Sequence, residues 1–309
     1  MKYIVTGGAG FIGSHIAERL LTDGHEVVIF DDLSSGKKEN IAHLLSQENV
    51  AFVSGTILDL PGLRKTFEGA DGIFHEAAIA SVPRSVADPG ETHEVNLTGT
   101  LNVLIAARDC GVKKVVFASS AAVYGDNPVL PKCESMAPDL LSPYAVSKLA
   151  GEQYCSVFST LYGVRCTSLR YFNVFGPRQD PTSPYSGVIT KFVSNTLGRR
   201  PLVIFGDGHQ TRDFVDVRDV VQANILAMSG DVPGVFNVAR GTQINLLELV
   251  DMIAEITGIT VAVTFAPPAK GDVRDSVADI SRAKESLGYV PRYSVREGLE
   301  ETIKWFRKG

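Results

Sequence analysis

The chain opens KYIVTGGAGFIGSHIAERLL: a short apolar run, a turn carrying Gly7, Gly8, Gly10 and Gly13, and an amphipathic stretch ending near Gly24. Glycines between a strand and a helix let the backbone come close to a bound group without a Cβ clash, while the helix N-terminus offers free N–H groups and a positive dipole. The spacing is G-x-x-G-x-x-G, a variant of the commoner G-x-G-x-x-G, and its strand–turn–helix context gives it meaning. The bland alternative is that the glycines serve only tight turns.

The rest of the first half repeats this alternation. Lys2–Thr6, Glu26–Asp31, Val50–Val53, Gly72–His75 and Lys114–Ala118 read as strands, and Phe11–Asp23, Asn96–Gly111 and Ser142–Gly163 as helices. Near-continuous apolar strands alternating with helices imply a parallel sheet covered on both faces, so an α/β doubly wound, Rossmann-type fold is expected. Asp31 and Asp32 follow Gly13 by about one strand-and-helix length. A carboxylate there hydrogen-bonds the ribose hydroxyls of a dinucleotide and repels a 2′-phosphate, which favours NAD over NADP. From Phe175 to Gly187 the chain turns irregular. Beyond it come helices at Val188–Gly198, Val217–Ser229 and Asn245–Gly258, strands at Leu202–Phe205 and Val261–Phe265, and a closing helix from Val295. We divide the chain into a dinucleotide-binding part, 1–175, to which about 213–240 returns, and a smaller C-terminal α/β substrate lobe within 176–309.

The segment LLSPYAVSKLAGEQY carries the chemistry. Ser142 can cap a helix and Pro143 suits its first turn, which puts Tyr144 and Lys148 on one face. Ser119 and Ser120 close the strand before it, at the end where open α/β sheets bind ligands. A phenol acts as a base near neutral pH only if its pKa falls from about 10 by about three units. An ammonium ~4 Å away at an effective dielectric of ~20 supplies about that much. A serine hydroxyl beside it would orient a substrate oxygen. Taken alone, a Tyr and a Lys four apart are an ordinary surface pair.

Composition narrows the partners. With 30 Lys and Arg against 35 Asp and Glu, the net charge is −5, which argues against a nucleic-acid or anionic-membrane binder. The four cysteines have no metal or redox spacing and read as reduced thiols. The opening apolar run is too short for a signal peptide or a span, so a cytoplasmic protein without membrane or nucleic-acid partners is expected. His75 and His93 read as structural, no metal is expected, and Trp305 reads as core or interface.

TGGAGFIG, the Ser120 turn and Tyr144-x-x-x-Lys148 together resemble the extended short-chain dehydrogenase/reductase family, and within it the UDP-glucose 4-epimerase group of nucleotide-sugar epimerases. The resemblance runs through LRYFNVFGPRQ, TRDFVDVRDV and GDVRDSVADISRAKESLGY. It implies that Gly7, Gly10, Phe11, Ile12 and Gly13 surround the NAD pyrophosphate, with Asp31, Ser35 and Gly36 near the adenosine. The adenine pocket of the family carries an Asp and an aliphatic residue; here the pair is Thr56 and Ile57. Ala77 and Ala78 resemble the segment beside the nicotinamide ribose, Asn96 a cofactor-side asparagine, and Phe172 the residue beside the nicotinamide. Ser120, Tyr144 and Lys148 match the catalytic trio.

For the substrate, the resemblance assigns Asn173, Gly187 and Val188 to the sugar and diphosphate, and Val203 and Phe205 to the uridine. It makes Arg212 and Arg274 the diphosphate cations and Asp272 the uridine-ribose carboxylate. The competing reading pairs Arg212 with Asp213 or Asp216, and Arg274 with Asp272 or Asp275. The implied reaction is 4-epimerisation of UDP-glucose and UDP-galactose through a transient 4-keto sugar, in a homodimer. Ala121 and Ala122 stand where related dehydratases and decarboxylases carry acidic residues, which disfavours those reactions. Ser276, in place of a tyrosine, leaves room for UDP-GlcNAc and UDP-GalNAc. A UDP-glucuronate epimerase, a dehydratase and a non-catalytic NAD-binding regulator remain as alternatives.

Overall fold

The computed structural model describes residues 1–181, 187–268 and 273–308. In the first half, β1 (Lys2–Thr6), α1 (Phe11–Thr22), β2 (Glu26–Asp31), β3 (Val50–Ser54), α2 (Leu60–Phe67) and β4 (Gly72–His75) come first. They are followed by α3 (Val82–Ala87), α4 (Pro89–His93), α5 (Gly99–Asp109), β5 (Lys114–Ser120), α6 (Pro143–Leu161) and β6 (Arg165–Tyr171). The second half continues with β7 (Asn173–Phe175), α7 (Val188–Leu197), β8 (Leu202–Phe205), β9 (Thr211–Arg212), β10 (Phe214–Asp216) and α8 (Val217–Ser229). It ends with β11 (Gly234–Val238), β12 (Ile244–Asn245), α9 (Leu246–Thr257), β13 (Val263–Ala266), α10 (Ser281–Leu287) and α11 (Val295–Phe306).

Seven parallel strands form the central sheet, in the order β11-β6-β5-β4-β1-β2-β3. The strand order reverses between β1 and β4, and crevices at such a reversal are where open α/β sheets take ligands. Apolar side chains fill both faces. Ile16, Leu20, Ile29, Phe74 and Val220 lie on the side of α1 and α8, and Ile4, Phe67, Leu104, Phe117 and Phe158 on the side of α2, α5 and α6. The doubly wound α/β expectation therefore holds. A separate core of Phe192, Ile204, Phe214, Leu249, Ile253 and Leu299 joins α7, α9 and α11 to the small β8–β13 and β12–β9 pairs. Although they come late in the chain, α8 and β11 belong to the main sheet: β11 pairs with β6 from Gly234↔Thr167 to Val238↔Tyr171.

Two local differences from the sequence reading matter. The helix read from Asn96 begins earlier, at α4, and reaches α5 through a widened π-type turn at Glu94–Thr98. Such one-residue widenings frequently mark functional sites. The other difference is β6, which has no apolar run but is almost wholly buried. It is tolerated because most of its buried polar groups find partners, Arg170 Nη1 being the exception. Arg170 makes a two-pronged bond with Glu152 of α6 (2.8 and 2.7 Å), and Ser119 of β5 donates to the same carboxylate at 2.5 Å. This buried pair fixes α6 against β5 and β6 one turn beyond Lys148.

Removing one member of a buried ion pair leaves a desolvated charge and costs about 3–5 kcal/mol. Glu152→Gln should therefore lower the denaturation midpoint clearly, while an apolar Glu152→Met/Arg170→Met pair recovers most of the loss; an unchanged midpoint in the single variant would disprove the assignment.

Candidate active site

The glycine turn is built by close backbone contact. Gly7 has φ +68, its N–H donates to Phe30 O at 2.8 Å, and a Cβ on it would lie 2.7 Å from Ala77 N. A Cβ on Gly13 would lie 2.3 Å from Gly7 O. Helix α1 starts at Gly10 with no side-chain cap, so its first N–H groups are left to a ligand. Phe11 and Ile12 open that helix. Asp31, at the end of β2, is buried and accepts N–H bonds from Ala9 (2.9 Å) and Leu33 (2.8 Å). Burial raises its pKa, and the two N–H donors oppose the rise. Asp31 thus braces the turn. Asp32 is exposed and accepts from Ser34 N, Ser35 is exposed, and Gly36 lies against the Asp31 carboxylate. Thr56 and Ile57 follow β3, with Ile57 buried against Gly99. The cradle and its carboxylate suit an NAD pyrophosphate and adenosine ribose.

The other C-terminal strand ends converge on the same side. Ala77 and Ala78 follow β4. Asn96, in the widened turn, is buried; its Oδ1 accepts from Ile79 N at 2.7 Å, and its Nδ2 donates to Ser147 Oγ at 3.2 Å. It therefore joins the segment after β4 to α6. Ser142 caps α6 by accepting from Ala145 N at 3.1 Å, as its position before Pro143 suggests. Lys148 is buried and donates from Nζ to Ala118 O at 2.7 Å, 5.7 Å from the centre of the Tyr144 ring. Ser120 ends β5, where its Oγ accepts from Ala122 N at 3.1 Å. The trio thus meets at one strand end.

The electrostatics differ from the sequence expectation. Burial raises the Tyr144 phenol above its ordinary value, Glu76 raises it further, and the hydrogen bond with Ser120 opposes both. Burial pushes Lys148 down to about 8, and Glu76 opposes that shift. The ammonium spends a hydrogen bond on Ala118. Desolvation of the phenol therefore outweighs the attraction in the protein groups alone.

In the second lobe, Asn173, Val188, Val203, Phe205 and Arg212 line one cleft of about 250 Å³. Phe192, Ile204, Gln210 and Leu246 also line it; sequence reasoning missed them because buried helix and strand residues and a turn glutamine carry no local signal. Gly187 begins α7 beside the cleft. Arg212 donates to the carbonyls of Thr211 and Arg274 (2.8 and 2.9 Å). The two aspartates weighed as its partners are engaged elsewhere: Asp216 binds Arg218, and Asp213 accepts N–H bonds from Arg240, Gly241 and Ala278. Arg274 pairs with Asp207 at 3.0 Å, a partner that the competing ion-pair reading did not include. Asp275 instead takes Thr211 Oγ1 at 2.7 Å. Asp272 lies outside the described residues. Phe172 is buried against Tyr124, with ring centres 6.2 Å apart.

Residues 3–239 match the model of the NAD dependent epimerase/dehydratase family. The chain belongs to this family. It is 44% identical over 312 residues to a UDP-glucose 4-epimerase of Mycolicibacterium smegmatis, covering 99% of each chain. Among solved structures it resembles a UDP-N-acetylglucosamine 4-epimerase from Methanobrevibacter ruminantium in complex with UDP-N-acetylmuramic acid. That match has TM-score 0.96 and 42% identity, covering 99% of this chain and 98% of the other. It also resembles a UDP-glucose 4-epimerase of Thermotoga maritima with UDP-glucose, at TM-score 0.95 and 41% identity over 100% of this chain and 99% of the other. The epimerase resemblance read from the motifs is therefore borne out: this is an NAD-dependent, epimerase-type enzyme, while the sugar differs among its relatives. Among the described residues no helix is long and apolar enough to cross a membrane.

The crowding at Gly13 gives a direct test. Gly13→Ala should abolish NAD binding in calorimetric titration while the circular dichroism spectrum stays that of the native fold; unchanged NAD affinity would refute the cradle.

Proposed function

We propose that the chain interconverts UDP-glucose and UDP-galactose at the sugar's fourth carbon. The observation that carries this reading is the meeting of Ser120, Tyr144 and Lys148 at one strand end, in a sheet whose glycine turn suits a dinucleotide, with a cleft lined by Asn173 and Arg212 in the second lobe. Ser120 holds the 4-oxygen. Tyr144, as the phenolate, removes the 4-hydroxyl proton and later returns it. Lys148 favours the phenolate by its charge and meets the nicotinamide ribose. NAD, when bound, accepts a hydride from the sugar carbon and gives it back, and its cationic ring adds to Lys148 in favouring the phenolate. Arg212, with a planar fork suited to paired oxygens, holds the diphosphate together with Asn173, Gly187 and Val188. Val203 and Phe205 flank the base, and Arg274 and Asp272 are assigned to the diphosphate and the uridine ribose. Firm holding of the nucleotide lets the 4-keto sugar turn and present its other face.

Ser276, half-buried, supports a second substrate pair, UDP-GlcNAc and UDP-GalNAc, because a side chain smaller than tyrosine leaves space at the sugar's second carbon. UDP-glucuronate is the third candidate. Product analysis with all three substrates distinguishes them: conversion of UDP-glucose to its 4-epimer is expected, and Tyr144→Phe should abolish turnover while leaving NAD bound. Retained turnover in Tyr144→Phe would overturn the mechanism.

We also infer a homodimer. Val146, Val157 and Leu161 form an exposed apolar stripe along α6, flanked by exposed Leu141, Val82 and Val86. A two-fold interface places such a patch against its own copy, and two copies of α6 would cover it. Sedimentation should give twice the chain mass, with Val157→Glu shifting it to one; a monomeric parent protein would exclude the assembly.

A further inference from the structure

A carboxylate stands at the reacting end of the sheet without a role in the chemistry above. Glu76 immediately follows β4, and its N–H donates to Thr6 O at 3.1 Å, which fixes its main chain to the end of β1. A Cβ on Gly7 would come within 2.9 Å of its carbonyl carbon, so Glu76 lies directly against the dinucleotide turn. His75 and Glu76 point to opposite faces, as neighbours along an extended chain must. His75 bonds Thr6 Oγ1 and Thr100 Oγ1 (2.8 and 3.0 Å) and is held neutral by burial, at about 3. Glu76 reaches past the end of β5 to β6. There Tyr171 donates its hydroxyl to Oε1 at 2.9 Å, and Asn224 of α8 holds that hydroxyl from behind at 2.8 Å. Tyr171 and Asn224 are buried, whereas Glu76 keeps some exposure, and its Oε2 has no protein partner among the described residues. Glu76 thus stands at the end of β4 beside the end of β5, where Ser120 lies and Lys148 bonds Ala118.

We propose that Glu76 is a positioning residue for the proton chemistry of this site: its tethered carboxylate sets the charge against which Tyr144 and Lys148 ionise. This rests on the epimerase reading only in giving those two side chains the proton transfer. The titratable groups facing Glu76 are Tyr144 and Lys148 from α6 and Tyr171 from β6; α8 presents the uncharged Asn224, and the glycine turn presents none. The Glu152–Arg170 pair is balanced within itself. The signs follow from charge. An anionic Glu76 favours the Lys148 ammonium and disfavours the Tyr144 phenolate. Burial raises Glu76 itself to about 7, with the Tyr171 hydroxyl and Lys148 opposing the rise. Glu76 thus changes charge in the range where a phenolate base has to form. While anionic, it keeps the ammonium charged against desolvation and raises the pH at which the phenolate forms.

The test reads the phenolate directly. The near-ultraviolet phenolate absorbance of NAD-loaded protein is titrated with pH, and the Tyr144→Phe protein is subtracted to isolate Tyr144. Glu76→Gln keeps the shape and can still accept from Tyr171, but removes the charge. It should lower the Tyr144 midpoint by about one pH unit, the shift expected of a unit charge several ångströms away. Glu76→Asp, which keeps a carboxylate, should restore the midpoint toward the parent value. Tyr171→Phe removes the donor that favours the carboxylate, so it should move the midpoint in the same downward direction without altering Glu76. An unmoved or raised midpoint in Glu76→Gln overturns the proposal, and if that variant does not load NAD, the same result in Tyr171→Phe does so. Should the parent protein show no Tyr144-specific phenolate below the ordinary tyrosine range near 10, the epimerase mechanism fails instead, which keeps the two failures distinct.

Discussion

Everything in the first lobe hangs on the near-contact of main chain at the glycine turn. Gly13 sits so close to Gly7 O, and Gly7 so close to Ala77, that β1, α1 and the segment after β4 can meet only where side chains are missing. That contact sets how deep the crevice is between the two halves of the sheet. The remaining site parts are then fixed relative to it: Asp31 by two backbone N–H groups, Asn96 by Ile79 and Ser147, and Lys148 by Ala118. Each functional side chain is thus also a fastening, which is how such a site keeps its geometry with few rigid parts of its own.

Helix α6 shows the same economy. Its N-terminus is set by Ser142 and Pro143, and its distance from the sheet by the Glu152–Arg170 pair. Tyr144 and Lys148 lie between these two anchors. The cost of drawing them inward is visible in their ionisation: burial raises one and lowers the other, so both drift toward neutrality. A base made from a buried phenol needs compensating positive charge, which the Lys148 ammonium can supply and the Glu76 carboxylate opposes.

What the sequence made legible follows from physical locality. The glycine turn, the Ser142 cap and the Tyr144–Lys148 spacing are short-range patterns, and the structure has them where the pattern put them. Strands β1, β2, β4 and β5 were readable because they are apolar on both faces. Strand β6 was not, because Arg165, Thr167, Ser168 and Arg170 hide its burial, and their partners lie far away in sequence. For the same reason no spacing pointed to the Arg274–Asp207 pair, whose aspartate comes in from a distant turn. Glu76 stood inside a motif already read for its alanines. Its importance depends on Tyr171 and Asn224, which no spacing rule connects to it.

The widened turn at Glu94–Thr98 has a consequence for how this chain can vary. It inserts an extra residue between α4 and α5, which rotates Asn96 inward to Ile79 and Ser147. Deleting one residue there would regularise the helix, but it would also swing everything on one side by about 100°. The helical rod would survive while its phase was lost. Length at this point is therefore as tightly specified as side-chain identity, and insertions and deletions should be far better tolerated in the polar turns outside the crevice.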